Sequence, residues 1–405
     1  MKVLFFAVLT LFIGIQFSTQ ATENNPLRIV HYNIKELHSL KIHSQLGASN
    51  LNQLQAVRNI LLRLRPELLS LNEVQYDLPG VPDSSFVTSG ENLNKLSAQF
   101  GMAGAASVFY PANTGALSEP RPDGTYVVSS PTAEERQLYS DPLNFGMFPA
   151  QYSTGLLSLK PVGRVKEYSQ ILWSQVSPTL DLSQFNDGNG QPLPEDMLLF
   201  DKNFTHVEIQ FQGKPLHVIV FHSVPAFHFG NDKSPNYQRN KDQLRFLQWY
   251  LGSDRSGIEG IEGVTPLSPG DSFVAMGDWN VDVGSDNLGA EVIRAFYDEF
   301  QMWMADPVIT YIGSSLAPGG FKAQLDYILL SKDLKVSRAG VYSAEESREE
   351  LGCTKHSGRG YDQPGKVVVR YRNADGVSCA AAISERYHEL ITASDHLPLF
   401  VDITR

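Results

Sequence analysis

The sequence predicts an α/β fold, and three observations carry that prediction. Strand, helix and strand signals follow one another between Leu27 and Leu71, the arrangement expected of a parallel pair with a helical crossover. Thr205–Gln212 and Leu216–His222 alternate around Gly213 as a β-hairpin. The apolar run Phe273-Val274-Ala275-Met276, closed by Gly277, reads as a buried strand that ends in Asp278-Trp279-Asn280. A turn is the competing reading of that last stretch. Several other predicted strands, however, end in the same kind of polar chemistry.

Composition sets the bounds. A hydrophobic content of 42% against 19% charged residues is that of a globular chain with a substantial core. A net charge of -11 argues against gripping nucleic acid by bulk electrostatics, while it suits an acidic site that recruits a divalent cation. Met1-Lys2, an apolar run from Val3 to Ile15 and small residues at Thr19 and Ala21 fit a secretory signal over 1–21. An uncleaved anchor is the alternative, although the run is short of the roughly 20 residues a membrane span needs. No later segment is apolar and long enough to cross a bilayer, so the expected product is exported, to a periplasm or to the medium. Two cysteines, Cys353 and Cys379, read most simply as one disulfide.

Taken in order, Leu27–Asn33 is a strand ending at Asn33. A helix follows from an Asn50 cap, with Leu51, Leu54, Val57, Leu61 and Leu64 on one face and Pro66 stopping it. Leu68–Leu71 delivers Asn72 and Glu73. In parallel sheets ligands gather at the carboxyl ends of strands, so Asn33 and Glu73 should reach the same rim. Residues 75–150 are rich in Pro, Gly, Ser and Asn and read as a long insertion with a helix near Asn92–Phe100. Gly155–Leu159 is a further strand. The second hairpin strand exits at His222, and a loop carrying Arg239 and Asn240 leads into a helix ending near Leu251. Ala290–Phe300 is helical. Ala323–Leu330 is a strand holding Asp326 inside an apolar run, where a carboxylate needs a partner. A second insertion, 339–391, contains both cysteines. The final strand, Leu399–Ile403, is preceded by Asp395-His396. No repeat or linker divides the chain, so residues 26–405 are expected to form one domain.

Phosphate-ester hydrolysis needs a metal, an activated water and donors for developing charge. Glu73, with Asn33 or Asp395, offers hard oxygen ligands for magnesium, manganese or calcium. Asp278 and Asn280 could orient water and the phosphoryl oxygen, and His222 and His396 could donate to non-bridging oxygens. Asp326 could hold His396 in one tautomer. Lys202, Arg239 and Asn240 are candidate substrate contacts, with solvated surface charge as the plainer reading of the two basic residues.

The motifs "HYNI" at Asn33, "LSLNEV" at Glu73, "VFHSVP" at His222, "GDWN" at Asp278 and Asn280, "QLDYILLS" at Asp326 and "SDHLP" at Asp395 and His396 occur in that order. Together the chain resembles the endonuclease/exonuclease/phosphatase superfamily of deoxyribonucleases, abasic-site endonucleases, sphingomyelinases and inositol phosphatases. "NEVQYD", "GMFPAQY" and Arg239-Asn240 look like an exported bacterial subgroup. The resemblance implies a four-layer α-β-β-α sandwich of two mixed sheets, an Asp326–His396 pair, a Glu73-bound divalent cation and Asp278 as the water-positioning base. The implied partner is a phosphate ester (nucleic acid, phospholipid or small phosphoester), handled by a monomer. One departure is Lys35, where abasic-site endonucleases carry an acid. A sphingomyelinase would be expected to expose an aromatic hairpin; Phe227-His228-Phe229 is a small candidate, with a buried loop anchor as the other reading. A non-catalytic module on the same fold would be expected to lack Glu73, Asp278 or His396, and all three are present.

Overall fold

A computed structural model describes residues 25–405 apart from 86, 314, 315, 317 and 318, so the expected signal segment lies outside the described residues. Two six-stranded sheets pack face to face with helices outside. The first takes β1 (Leu27–Leu37), β2 (Leu68–Val74), β3 (Ala106–Phe109), β4 (Thr154–Ser158), β11 (Lys335–Val341) and β15 (Leu399–Thr404) in the order β11-β15-β1-β2-β4-β3. The second takes β5 (Val162–Glu167), β6 (Phe204–Phe211), β7 (Lys214–Phe221), β8 (Phe273–Asp278), β9 (Gln301–Met302) and β10 (Asp326–Leu330) in the order β5-β6-β7-β8-β10-β9. A third sheet, β12 (Glu349–Gly352), β13 (Lys366–Arg372) and β14 (Ser378–Ser384), carries the Cys353–Cys379 disulfide.

Alternation along β1 divides the core. Leu27 and Ile29 face the second sheet, with Leu68 and Leu156 beside them and Val218, Val274 and Met276 in the same cluster. Val30, Tyr32 and Ile34 face outward against Leu54, Val57, Leu61 and Leu64 of α2 (Gln53–Leu64). Leu390 and Ala393 of α8 (Glu385–Ala393) complete that layer. On the far side α6 (Asn236–Tyr250) and α7 (Leu288–Glu299) cover the second sheet with Leu244, Leu247, Ile293 and Phe296. This is the expected four-layer sandwich.

Several boundaries move. The α2 cap is Asn52, whose side chain accepts from the Gln55 N–H at 2.9 Å, so Asn50 and the exposed Leu51 stay outside the helix. A short helix α1 (Ser39–Gln45) occupies the expected polar connection. Residues 75–150 hold α3 (Asn92–Gln99), β3 and α4 (Ala133–Tyr139), and Val81, Val127, Met147 and Phe148 form a small core of their own. Ala339 to Val341 belong to β11 at the first sheet's edge, because they pair with Val401 to Leu399, so the second insertion starts later than expected. The remaining short helix, α5 (Trp173–Val176), packs on α6, where Trp173 Nε1 donates to Asp242 at 2.8 Å.

Candidate active site

Strand direction explains why one rim collects the chemistry. β1 and β2 run parallel, as do β7 and β8, so Asn33, Glu73, His222 and Asp278 arrive at carboxyl ends. β10 and β15 run antiparallel to their neighbours and therefore begin at that rim, bringing Asp326 and His396.

Local packing aims each side chain. A Cβ on Gly277 would meet the Phe221 carbonyl at 1.8 Å, so only glycine lets β8 lie this close to β7. Trp279 then turns into the core, stacked on Phe221 at 5.8 Å and on Tyr327 at 5.1 Å. With Trp279 anchored inward, Asp278 and Asn280 flank it at the rim, Asn280 in a left-handed conformation with φ 52°. Alternation from Leu69 and Leu71 would send Glu73 to the helix side. Its φ of 68° breaks the alternation and brings its carboxylate to Asn33. Lys35, Glu36, Glu73 and Asn280 are four of the ten non-glycine residues with positive φ among those described. Such conformations cost about 1–3 kcal/mol each and concentrate where function requires them.

The resulting network is buried and short. Asn33 Nδ2 donates to Glu73 Oε1 at 2.9 Å and to Asp278 Oδ2 at 3.0 Å. Its oxygen accepts the Lys35 N–H at 3.0 Å. Asn33 therefore aligns the two carboxylates through its amide nitrogen, while its oxygen, accepting one N–H, retains a second lone pair. Glu73 Oε2 accepts the Glu36 N–H at 2.7 Å. Asp278 sits directly opposite Asp326 across the β8–β10 ladder. Burial, reinforced by Asp326 and Glu73 and opposed by His396, pushes its carboxyl up to about 7.

His396 Nδ1 lies 2.7 Å from Asp326 Oδ2 and its Nε2 lies 3.7 Å from Asp278 Oδ2. Burial disfavours the imidazolium, but Asp326 and Asp278 outweigh it and push His396 up to about 10. Burial would likewise raise Asp326, yet His396 and His31 hold it well below the usual carboxylate range. His222 is the opposite case. Burial, with Lys202 and His396 nearby, keeps it well below neutral and uncharged. Asn280 Nδ2 donates to His222 Nε2 at 2.7 Å, which leaves buried Nδ1 without a partner.

Three expected substrate contacts and one expected ligand are placed otherwise. Lys202 is buried, 2.6 Å from Asp201, and donates to the Ser223 carbonyl. Arg239 and Asn240 lie inside α6, not on a loop, and both are buried. The Arg239 guanidinium donates to the carbonyls of Leu198 and Leu199 and to Asn144 Oδ1. The Asn240 amide donates to Ser223, Val224 and Trp279. Lys202 and Asn240 hold Ser223, whose carbonyl also accepts from Asn280, while Arg239 ties α6 to the segments at 143–144 and 198–199. Asp395 faces Lys35, 3.5 Å away, rather than Glu73. Phe227 and Phe229 are exposed and in edge-to-face contact at 5.1 Å, so neither is a buried anchor.

Four participants were not singled out from the sequence. His31 Nε2 meets Asp326 Oδ1 at 3.2 Å; it shares a β1 face with Asn33, which is the signal that could have found it. Asn72 Oδ1 accepts the Asp278 N–H at 2.8 Å. Tyr311 packs edge-on to His396 at 5.0 Å. Gln151, in "GMFPAQY", donates to Glu36 Oε1 at 2.5 Å and so ties the first insertion to the site.

Ligand atoms of Glu73, His222 and Asp278 lie within 4.8 Å of one another. Two carboxylates and a neutral imidazole fit a divalent cation. Asp278, Asp326 and His396 form a second such group, but a charged His396 opposes a cation there.

The sequence profile of the Endonuclease/Exonuclease/phosphatase family matches residues 32–396. The chain belongs to this family. Its members hydrolyse phosphoester bonds, and this chain is a hydrolase of that class. Similar solved structures include an endonuclease/exonuclease/phosphatase from Beutenbergia cavernae, 14% identical, covering 94% of this chain and 72% of that one at a TM-score of 0.49. Human nocturnin's catalytic domain is 13% identical over 94% and 93% of the two chains, at 0.43. Beta toxin of Staphylococcus aureus, in a structure with bound magnesium ions, is 13% identical over 93% and 99%, at 0.42. No curated protein sequence matches the chain.

Proposed function

We propose that this family member is an exported, monomeric phosphoesterase that uses magnesium to hydrolyse a phosphate ester. The observation that carries the reading is the buried Asp326–His396 pair, 2.7 Å long, facing Asp278 at the same rim as Glu73. Glu73, with His222 and Asp278 close by, would hold the cation, which would polarise the phosphoryl group and favour ionisation of the attacking water. Asp278, between Asn33, His222 and His396, accepts the proton of that water. His396, kept charged by Asp326, donates from Nε2 to a non-bridging oxygen. Asn280 and the neutral His222 orient a second oxygen, and Asn33 keeps the two carboxylates in register. No helix among the described residues is long and apolar enough to cross a membrane.

The test is hydrolysis of bis-p-nitrophenyl phosphate, p-nitrophenyl phosphate, plasmid DNA and sphingomyelin by the mature protein. Magnesium, manganese, calcium and a chelator are compared, beside His396→Ala. Chelator-sensitive turnover that His396→Ala abolishes supports the reading, and the preferred substrate names the subclass as nuclease, lipid phosphodiesterase or phosphomonoesterase. Turnover that survives the chelator, or none under any metal, overturns it.

A further inference from the structure

Residues 149–152 form a wall shared by two sites. Gln151 donates to Glu36 Oε1 at 2.5 Å, and the Glu36 N–H donates to Glu73 Oε2 at 2.7 Å, so this segment reaches the catalytic rim. Pro149 and Ala150, just before it, line a cavity of about 450 Å³. Tyr110 and Pro111 of the first insertion continue the lining, and Glu167 and Ser169, where the chain leaves β5, close it from the second sheet. A volume of that size suits a small organic group.

Topology sets the cavity at the rim that carries the chemistry. β3 is antiparallel to β4, itself antiparallel to β2, so β3 exits where β2 delivers Glu73. β5 is antiparallel to β6 and β6 to β7, so β5 exits where β7 delivers His222. Each is the second strand along from its catalytic counterpart. Hydrogen bonds hold the walls in place. Asn113 Nδ2 donates to the carbonyls of Ser169 at 2.9 Å and Phe200 at 2.8 Å, and its Oδ1 accepts from Gln170 Nε2 at 3.0 Å. The first insertion is thereby locked to the loops that follow β5 and precede β6. A Cβ on Gly115 would meet the Phe148 carbonyl at 2.0 Å, and one on Gly146 the Gly115 nitrogen at 2.6 Å. Two glycines therefore let the loop at 113–116 lie against "GMFPA".

Glu167 gives this otherwise mostly apolar cavity a charge. Its Oε1 accepts the Ser169 N–H at 2.8 Å and the Ser169 hydroxyl, while Oε2 has no partner and the carboxylate no ion pair among the described residues. Burial raises the carboxyl against the pull of the Ser169 N–H. A half-buried carboxylate at an apolar cavity is stabilised by a cation that arrives with the ligand. A divalent metal would need several oxygen ligands and finds one carboxylate here, so the matching charge is an organic ammonium. We infer that the cavity is a subsite for the organic group of the substrate, an apolar stem ending in a protonated amine that pairs with Glu167. Two strand spacings set that amine roughly 10 Å from the reacting phosphorus. The inference rests on the phosphoesterase reading above.

The test compares two p-nitrophenyl phosphodiesters of equal length, one with a 6-aminohexyl group and one with an n-heptyl group, so that an ammonium replaces a methyl. The mature wild-type protein should favour the aminohexyl ester in kcat/KM by about 10-fold, as for one charge-assisted hydrogen bond. Glu167→Gln should abolish that preference; glutamine keeps an acceptor for Ser169, and thermal melts check the fold. On the wild type alone, hexylammonium should compete with the aminohexyl ester, and hexan-1-ol at the same concentration should not. A wild type without the preference, a preference that survives Glu167→Gln, or equal competition by hexan-1-ol overturns the inference and leaves the phosphoesterase reading standing. No turnover of either ester or of bis-p-nitrophenyl phosphate under any metal overturns both.

Discussion

The Asp278 backbone N–H donates to Asn72 Oδ1 at 2.8 Å, a bond that joins the end of β2 in one sheet to the end of β8 in the other. Asn72 Nδ2 in turn donates to Thr154 Oγ1 at 2.8 Å, so the link is itself held by β4. The two sheets contribute different halves of the site, Glu73 and His396 from one, Asp278 and Asp326 from the other. Asn72, together with Asn33 and His31, keeps those halves in register.

Asn72→Ala should therefore harm catalysis more than folding. Leaving the buried Asp278 N–H without a partner costs about 1–3 kcal/mol in stability. A misplaced Asp278 should lower kcat by roughly 10²-fold. Chemical denaturation and steady-state kinetics on the same variant separate the two effects; a stability loss with unchanged kcat would refute the positioning role.

Asp326 and His396 should behave as one unit. Asp326→Asn and His396→Gln should each lower kcat by roughly 10²–10⁴-fold. The double variant should be little worse than either alone, because removing one partner already removes the oriented imidazolium. A multiplicative loss in the double variant would mean that the residues act independently.

Arg239 should prove structural. Its guanidinium satisfies carbonyls at 198 and 199 and the Asn144 side chain from inside α6. Arg239→Lys cannot reproduce that planar set of donors. Stranding the acceptors should destabilise the protein by roughly 2–4 kcal/mol, with KM unchanged in the molecules that remain folded. A raised KM at wild-type stability would return Arg239 to the substrate.

Stability should fall on acidification through a second histidine pair. His206 Nε2 meets His217 Nδ1 at 2.9 Å and His206 Nδ1 meets the Tyr250 hydroxyl at 2.7 Å, remote from the cleft. Burial, then His217, Lys166 and Arg164, lower His206 to about 3 from an ordinary 6.5. A lowered histidine binds its proton more readily in the unfolded chain, so its contribution is complete above about 6.5 and is lost as the pH falls toward 3. Within that window the slope is roughly 1.4 kcal/mol per pH unit for this group. Urea midpoints between pH 7 and pH 4.5 should show the fall, and His206→Gln should lessen it, leaving the part due to other buried histidines such as His38 and His222.

Much of the site was legible because strand ends are written locally. "GDWN" follows from one apolar run, a glycine demanded by close strand approach, and a tryptophan that must find the core. The same holds for Asp326, whose place inside an apolar strand already required a partner. Arg239 and Asn240 misled for a physical reason. A charge or an amide near a helix start reads alike whether it faces solvent or backbone carbonyls, and only packing distinguishes the two. Lys202 was hidden the same way, by Asp201 and the Ser223 carbonyl.

Sequence by itself determined the strands that carry the site, the order of the motifs and the polar groups each of those strands carries, since periodicity and residue chemistry are properties of neighbours along the chain. Tertiary structure alone decided which groups meet. Asn33 aligning Glu73 and Asp278, His31 supporting Asp326 and Lys35 facing Asp395 all span long separations in the chain, through the pairing of two sheets and the left-handed residues at their rim. Backbone strain of that kind is sustained by the whole fold pressing on it, and no local stretch of sequence encodes that pressure.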